Sequence, residues 1–170
     1  GLHGLIVEQW RAFLMHQIYR CNAGNAISNI HSLEAKFASI YNYIEKLETK
    51  EDTVLGYHCS AFLSSYDAPL GAIKERLQRV VDKAGWISKF SSELCRTFSL
   101  MCEIENSWHL FNSPISDVCI LDKANAMPLV LKLCHYNSKG TEVRNIPAID
   151  DALRWVEKIL FKMTYTLGGY

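Results

Sequence analysis

"MPLVLKLCHYNSKGTEVRNI", residues 127–146, decides the class of fold. In an extended chain, side chains alternate between faces, so Leu129, Leu131 and Leu133 would point to one side and Lys132 to the other. In the following "NSKG", Gly140 suits the left-handed position of a short hairpin loop, and "TEVRNI" returns as the partner strand. The expectation is an antiparallel hairpin from Leu129 to Ile146. "SDVCIL", 116–121, supplies a third strand.

Outward from the hairpin the period changes to that of helices. On the C-terminal side a helix is expected to start near Pro147, with Asp150 and Asp151 in its first turn. Ile149, Leu153, Val156, Leu160 and Met163 would turn inward, and Lys158 and Lys162 would lie towards its negative end. On the N-terminal side five helices are expected. In the first, Ile6, Trp10, Phe13, Leu14, Ile18 and Cys21 recur at steps of three and four, and Gly24 is the stop. The second, 26–50, has the cleanest stripe: Ile30, Leu33, Phe37, Ile40, Ile44 and Leu47. Glu45, Glu48, Glu51 and Asp52 at its far end read as a solvated face.

A short third helix places Leu55, Cys59, Phe62 and Tyr66 inward, with Asp52 or Thr53 as its cap. The fourth starts at Asp67 and Pro69, buries Leu70, Ile73, Leu77, Val80 and Ala84, and stops at Gly85. The fifth, 87–111, carries Ile87, Phe90, Leu94, Phe98, Met101 and Trp108, and Pro114 closes it. The expected fold class is therefore helix-dominated α+β. A five-helix bundle over 1–112 is followed by a small antiparallel sheet and a helix over 113–170. A hairpin with one helix buries too little surface alone, so the two parts are read as one domain, 1–170, with a seam at 113–126.

Composition narrows function by exclusion. In 170 residues, 18 Lys and Arg balance 18 Asp and Glu, so no overall field draws the chain to nucleic acid or to an anionic membrane. The longest apolar run, residues 4–19, is broken by Glu8, Gln9, Arg11, His16 and Gln17, which a lipid-spanning helix could not face outward. No membrane partner is expected. The start at Gly1 rather than Met reads as an excerpt or a processed product. Six scattered cysteines form no dense framework, and no Asn-x-Ser/Thr acceptor occurs, which favours an intracellular setting, cytoplasmic or nuclear.

Cys95, Cys102 and His109 look most like chemistry. They lie seven residues apart, which on a helix is roughly 10 Å of rise. Ligands of one zinc must lie within about 2.3 Å of it. The trio therefore reads as core, and neither a metal nor a cofactor is expected. His58-Cys59 and Cys134-His135 are chain neighbours whose side chains diverge, so neither makes a nucleophile and base by itself. Phosphate-cradling glycine loops, G-x-S-x-G, H-E-x-x-H, paired C-x-x-C and calcium loops do not occur.

"RAFLMH", Arg11 to His16, resembles the Arg-x4-His motif of the HEPN class of helical ribonucleases, to which the chain is also similar in size and helicity. The match covers these six residues. Ala12 stands where that family usually has a polar residue. The resemblance implies a ribonuclease using Arg11 and His16 as an alternative function.

Arg76, Arg79 and Lys83 are spaced to form one basic face on the fourth helix, with Lys74 and Lys89 nearby; Glu75 can pair with Arg79. Of the aromatics that fall off the inward stripes, Tyr41, Trp86 and Trp155 are candidate anchors at an interface. With no catalytic residues assigned, the expected function is non-enzymatic: an adaptor- or effector-like domain of the host-modulating kind that binds a protein through a helical face or groove, with homodimerisation as a second route. The partner-binding residues expected are Arg76, Arg79, Lys83, Tyr41, Trp86 and Trp155. RNA or another acidic partner on the basic face is the less favoured alternative.

Overall fold

Helical spacing carries the N-terminal half. The computed structural model describes residues 4–21, 26–65, 69–107 and 126–136, together with 151, 154, 155, 158, 159, 161 and 162. The chain divides into two compact units, Gly1–Ser99 and Leu100–Tyr170.

In the first unit, α1 (Ile6–Cys21) buries Val7, Trp10, Leu14 and Ile18, one side chain per turn on a single face. It packs on α2 (Ala26–Lys46), whose Ile30, Leu33, Phe37 and Ile40 are buried. Helix α2 ends at Lys46, four residues before its expected end, and Ile44 and Leu47 are half-buried. Next, α3 (Glu51–His58) buries Val54, Leu55 and His58 and continues into a π-helical turn, Cys59–Leu63. That turn ends at Ser64 in the left-handed region, φ 51°. Of the inward set expected here, Leu55 and Cys59 are buried, Phe62 is half-buried and Tyr66 lies outside the described residues.

Helix α4 (Pro69–Arg79) buries Ala72, Ile73 and Leu77 and packs against the π turn. It stops six residues before Gly85, where its end was expected. Gly85 instead lies in the first turn of α5 (Lys83–Ser107) and Ala84 beside it, because Asp82 starts a new helix. The Gly85 amide donates to Asp82 Oδ1 at 2.9 Å, and the Trp86 amide to the Asp82 carbonyl at 3.0 Å. A side-chain oxygen satisfying a first-turn amide is what a helix start requires. Ile87, Phe90, Leu94, Phe98 and Met101 on α5 are buried, as their spacing indicates.

Glu51 is not part of a solvated face. Its carboxylate accepts from the Ile6 amide at 2.9 Å and the Val7 amide at 3.1 Å, capping α1 from 45 and 44 residues away. The core of this unit also holds polar atoms. His58 is fully buried, its Nδ1 2.6 Å from Thr97 Oγ1. The imidazole lies 4.7 Å from the Phe62 ring and edge-on to Phe90 at 5.6 Å. Trp10, tilted on Phe90 at 5.8 Å, is buried beside them.

In the second unit, residues 126–136 form a helix, α6, where the first strand of the hairpin was expected. The same letters hold both periods: Met127, Val130, Leu131 and Cys134 are buried at helical steps, while Leu129 is 45% exposed. The loop and return strand over 137–146, and the strand over 116–121, lie outside the described residues, as do 113–125 of the expected seam. No strand occurs among the described residues. The described residues from 151 to 162 are helical and all exposed.

Candidate binding surface

Helix α4 borders two open grooves, one on each side. Successive residues of a helix turn by about 100°, so Ala72, Glu75, Arg76 and Arg79 fall on one side, while Lys74, Leu77 and Gln78 fall on the opposite one. The first set lines a groove of about 670 Å³ with Val80 and with Leu63, Ser64 and Ser65 from the end of the π turn. Leu63 and Val80 are half-buried apolar members of its lining, and Ser64 is exposed and left-handed. The second set lines a groove of about 470 Å³ with Phe13, Gln17, Arg20 and Cys21 of α1, and with Lys83.

The basic face is partly rearranged. Arg76 and Arg79 are exposed on α4, and Arg79 pairs with Glu75 at 2.8 Å, as their spacing predicts. Arg76 has no acidic partner among the described residues. Lys83 does not share their helix or their face: it opens α5, and its Nζ donates to the Leu77 carbonyl at 2.8 Å. An ammonium on an open carbonyl near a helix C-terminus satisfies an acceptor that the helix itself cannot. This corrects the grouping of Lys83 with Arg76 and Arg79, whose spacing continued across a helix break.

Of the aromatic candidates, Tyr41 and Trp86 belong to the first unit and Trp155 to the second. Tyr41 is half-buried on α2 and donates its hydroxyl to Glu8. Burial first, and that hydrogen bond second, push its pKa up to about 12. Trp86 is half-buried, stacked on Phe90 at 5.0 Å and 11°. Trp155 is 68% exposed in the second unit, with Lys158 Nζ 5.6 Å from its ring centroid. Lys158, Ile159, Phe161 and Lys162 form an open surface of about 410 Å³ with it.

Of the residues read for chemistry, Arg11 and His16 separate. Arg11 Nε lies 3.0 and 3.1 Å from the two Glu8 oxygens, and its Nη2 lies 2.5 Å from Glu8 Oε1. These hydrogen bonds hold the guanidinium pKa above its ordinary value. His16 is exposed. Five residues apart on a straight helix, the two side chains point about 140° away from each other.

Neither Cys59 nor Cys95 is an activated thiol. Burial pushes Cys59 up to about 12 and raises Cys95 as well, the latter opposed by Lys36. Both shifts disfavour the thiolate, the form that attacks or binds metal. Cys95 and Cys102 are in no disulfide, half-buried and on one continuous helix; His109 lies outside the described residues. Among the described residues no three His, Cys, Asp or Glu side chains gather to hold a metal ion, and no helix is long and apolar enough to cross a membrane.

Two elements of this surface could not be read from the sequence. Ser64 joins the groove through a π-helical turn, for which no pattern exists. The break between Arg79 and Lys83 was signalled only by Asp82, whose cap role competes with the continuing apolar spacing of Val80 and Ala84. No protein-family model, curated protein or solved structure matches the chain.

Proposed function

We propose that the chain is a non-enzymatic protein-recognition domain that takes an acidic segment of a partner protein along the Arg76–Arg79 side of α4. The observation that carries this reading is the groove between α4 and the π turn. It sets two exposed guanidinium groups beside the apolar Leu63 and Val80. An extended or helical segment with one carboxylate and one apolar anchor complements that mixture. Arginine matches a carboxylate with two parallel hydrogen bonds, and the apolar lining adds area removed from water. Glu75 already occupies part of Arg79, so Arg76 is the open cation and the stronger anchor.

The test is a photo-reactive residue at Val80 in the full chain, with cross-linked partners identified by mass spectrometry. The reading requires a protein cross-linked at this groove through an acidic segment, and its loss in Arg76→Glu/Arg79→Glu with helicity unchanged. RNA retained with a steep salt dependence and lost in the same variant would move the function to nucleic-acid binding. RNA cleavage that disappears in His16→Ala with folding intact would move it to a HEPN-like ribonuclease. Association of two copies through this face would make the partner a second chain.

A further inference from the structure

The groove on the opposite side of α4 has a different chemistry. Arg20, Lys74 and Lys83 line it with the carboxamides of Gln17 and Gln78, and no carboxylate of the described residues does. Two of the three cations are held in place. Lys83 Nζ is fixed by its hydrogen bond to the Leu77 carbonyl, which leaves the ammonium two further donors. Lys74 Nζ rests 5.5 Å from the centroid of the Phe13 ring, whose electron-rich face attracts it. Arg20 faces them across the groove from the last turn of α1. In a chain of balanced charge, three cations around one concavity of about 470 Å³ are a local concentration with no acidic counterpart there among the described residues.

We infer that the groove between α1 and α4 binds a phosphate group, with Arg20, Lys74 and Lys83 as its ligands and Gln17 and Gln78 as neutral donors. Guanidinium and ammonium donors together supply more hydrogen bonds than a carboxylate can accept, and suit the three oxygens of a phosphate monoester. Phe13, half-buried, offers an apolar surface to whatever the phosphate is attached to. The site is independent of the acidic-partner reading, since Arg76 and Arg79 lie on the other side of α4.

The phosphate can come from a free phosphate ester or from a phosphorylated side chain, and calorimetry on the full chain separates the two. Inorganic pyrophosphate is titrated in one arm, and a phosphoserine peptide with its unphosphorylated counterpart in the other. The expected result is saturable binding of at least one phosphate probe, weakened tenfold or more in Lys74→Glu or Arg20→Glu and changed less than twofold in Arg79→Glu. Pyrophosphate binding alone assigns a small free phosphate compound, and phosphopeptide binding alone assigns a modified protein. Lys74→Gln and Arg20→Gln repeat the measurement if either charge reversal lowers helicity. Alkylation of Cys21, an exposed thiol in the same groove, should slow in the presence of the bound probe, read at that cysteine by peptide mass spectrometry. No saturable binding of either probe, binding indifferent to both substitutions, or an equal loss in Arg79→Glu overturns the assignment. The last result would mark attraction to overall charge instead of a site.

Discussion

The Glu51 carboxylate accepts a hydrogen bond from the Ile6 amide at 2.9 Å, joining the first residue of α3 to the first residue of α1. Its other oxygen takes the Val7 amide at 3.1 Å, so one side chain satisfies two donors that α1 cannot pair within itself. It is also an anion at the positive end of the α1 dipole. Glu51→Ala is expected to cost about 1–2 kcal/mol in chemical denaturation. Glu51→Gln keeps one acceptor and should cost less than the alanine. Equal stability of wild type and Glu51→Ala would show that water replaces the carboxylate without loss.

Thr97 and His58 make the corresponding contact within the core. The 2.6 Å approach of Nδ1 to Oγ1 is fully buried, and Thr97→Val replaces the hydroxyl with a methyl group of similar size. The imidazole then loses that partner in a dry setting, at an expected cost of about 1–3 kcal/mol. Denaturant unfolding measures it. A control at exposed Thr53 should change stability by less than about 0.5 kcal/mol.

Cys59 gives stability a pH dependence with a fixed sign. Burial raises its thiol from 9.0 to about 12, so between these values the folded chain keeps a proton that the unfolded chain gives up. The stabilisation is complete below about pH 9 and is lost as pH rises towards 12. Cys59→Ala removes this contribution, and its stability should fall less steeply over that interval. Tyr41, raised from 10.0 to about 12, adds a loss of the same sign over the upper part of the range. Tyr41→Phe should flatten only that part. Parallel pH profiles in wild type and Cys59→Ala would contradict the assignment.

Asp82 holds the start of α5 through the Gly85 amide. Asp82→Ala should cost about 1 kcal/mol, and Asp82→Asn or Asp82→Ser less, because their oxygens also cap. Gly85→Ala tests the same contact from the other side, since a Cβ there would lie 2.1 Å from Asp82 Oδ2 and must displace the carboxylate. The displaced cap offsets alanine's better helix propensity, so Gly85→Ala should gain well under the ~1 kcal/mol that propensity alone would give. Thermal unfolding of the single variants and of the double variant reads the coupling.

The contrast between Phe37 and Glu51 shows what the sequence could disclose. Phe37 belongs to a stripe whose members lie three and four residues apart, so its burial follows from chain-local geometry and was legible. Glu51 looked like one of four acids at a helix end, and its partners are amides 45 and 44 residues away, which no local pattern encodes. Leu129–Leu133 failed for another reason: continuous apolar runs satisfy the period of a strand and of a helix alike, and burial of Val130 with Cys134 chose the helix. At the candidate surface, the exposure of Arg76 and Arg79 and the pairing of Arg79 with Glu75 were legible. The assignment of Lys83 to the same face was not, because a cap at Asp82 outweighed uninterrupted spacing.

Among the described residues, helix α4 buries Ala72, Ile73 and Leu77, and Lys83 caps its last turn. Transient opening of so short a segment would dismantle both grooves at once. If both grooves are occupied as proposed, an occupant on one flank that suppresses such opening would lower the ordering cost met by a second on the other, with no contact between them. Linkage would make that reinforcement reciprocal: each occupant would tighten the other by the same factor.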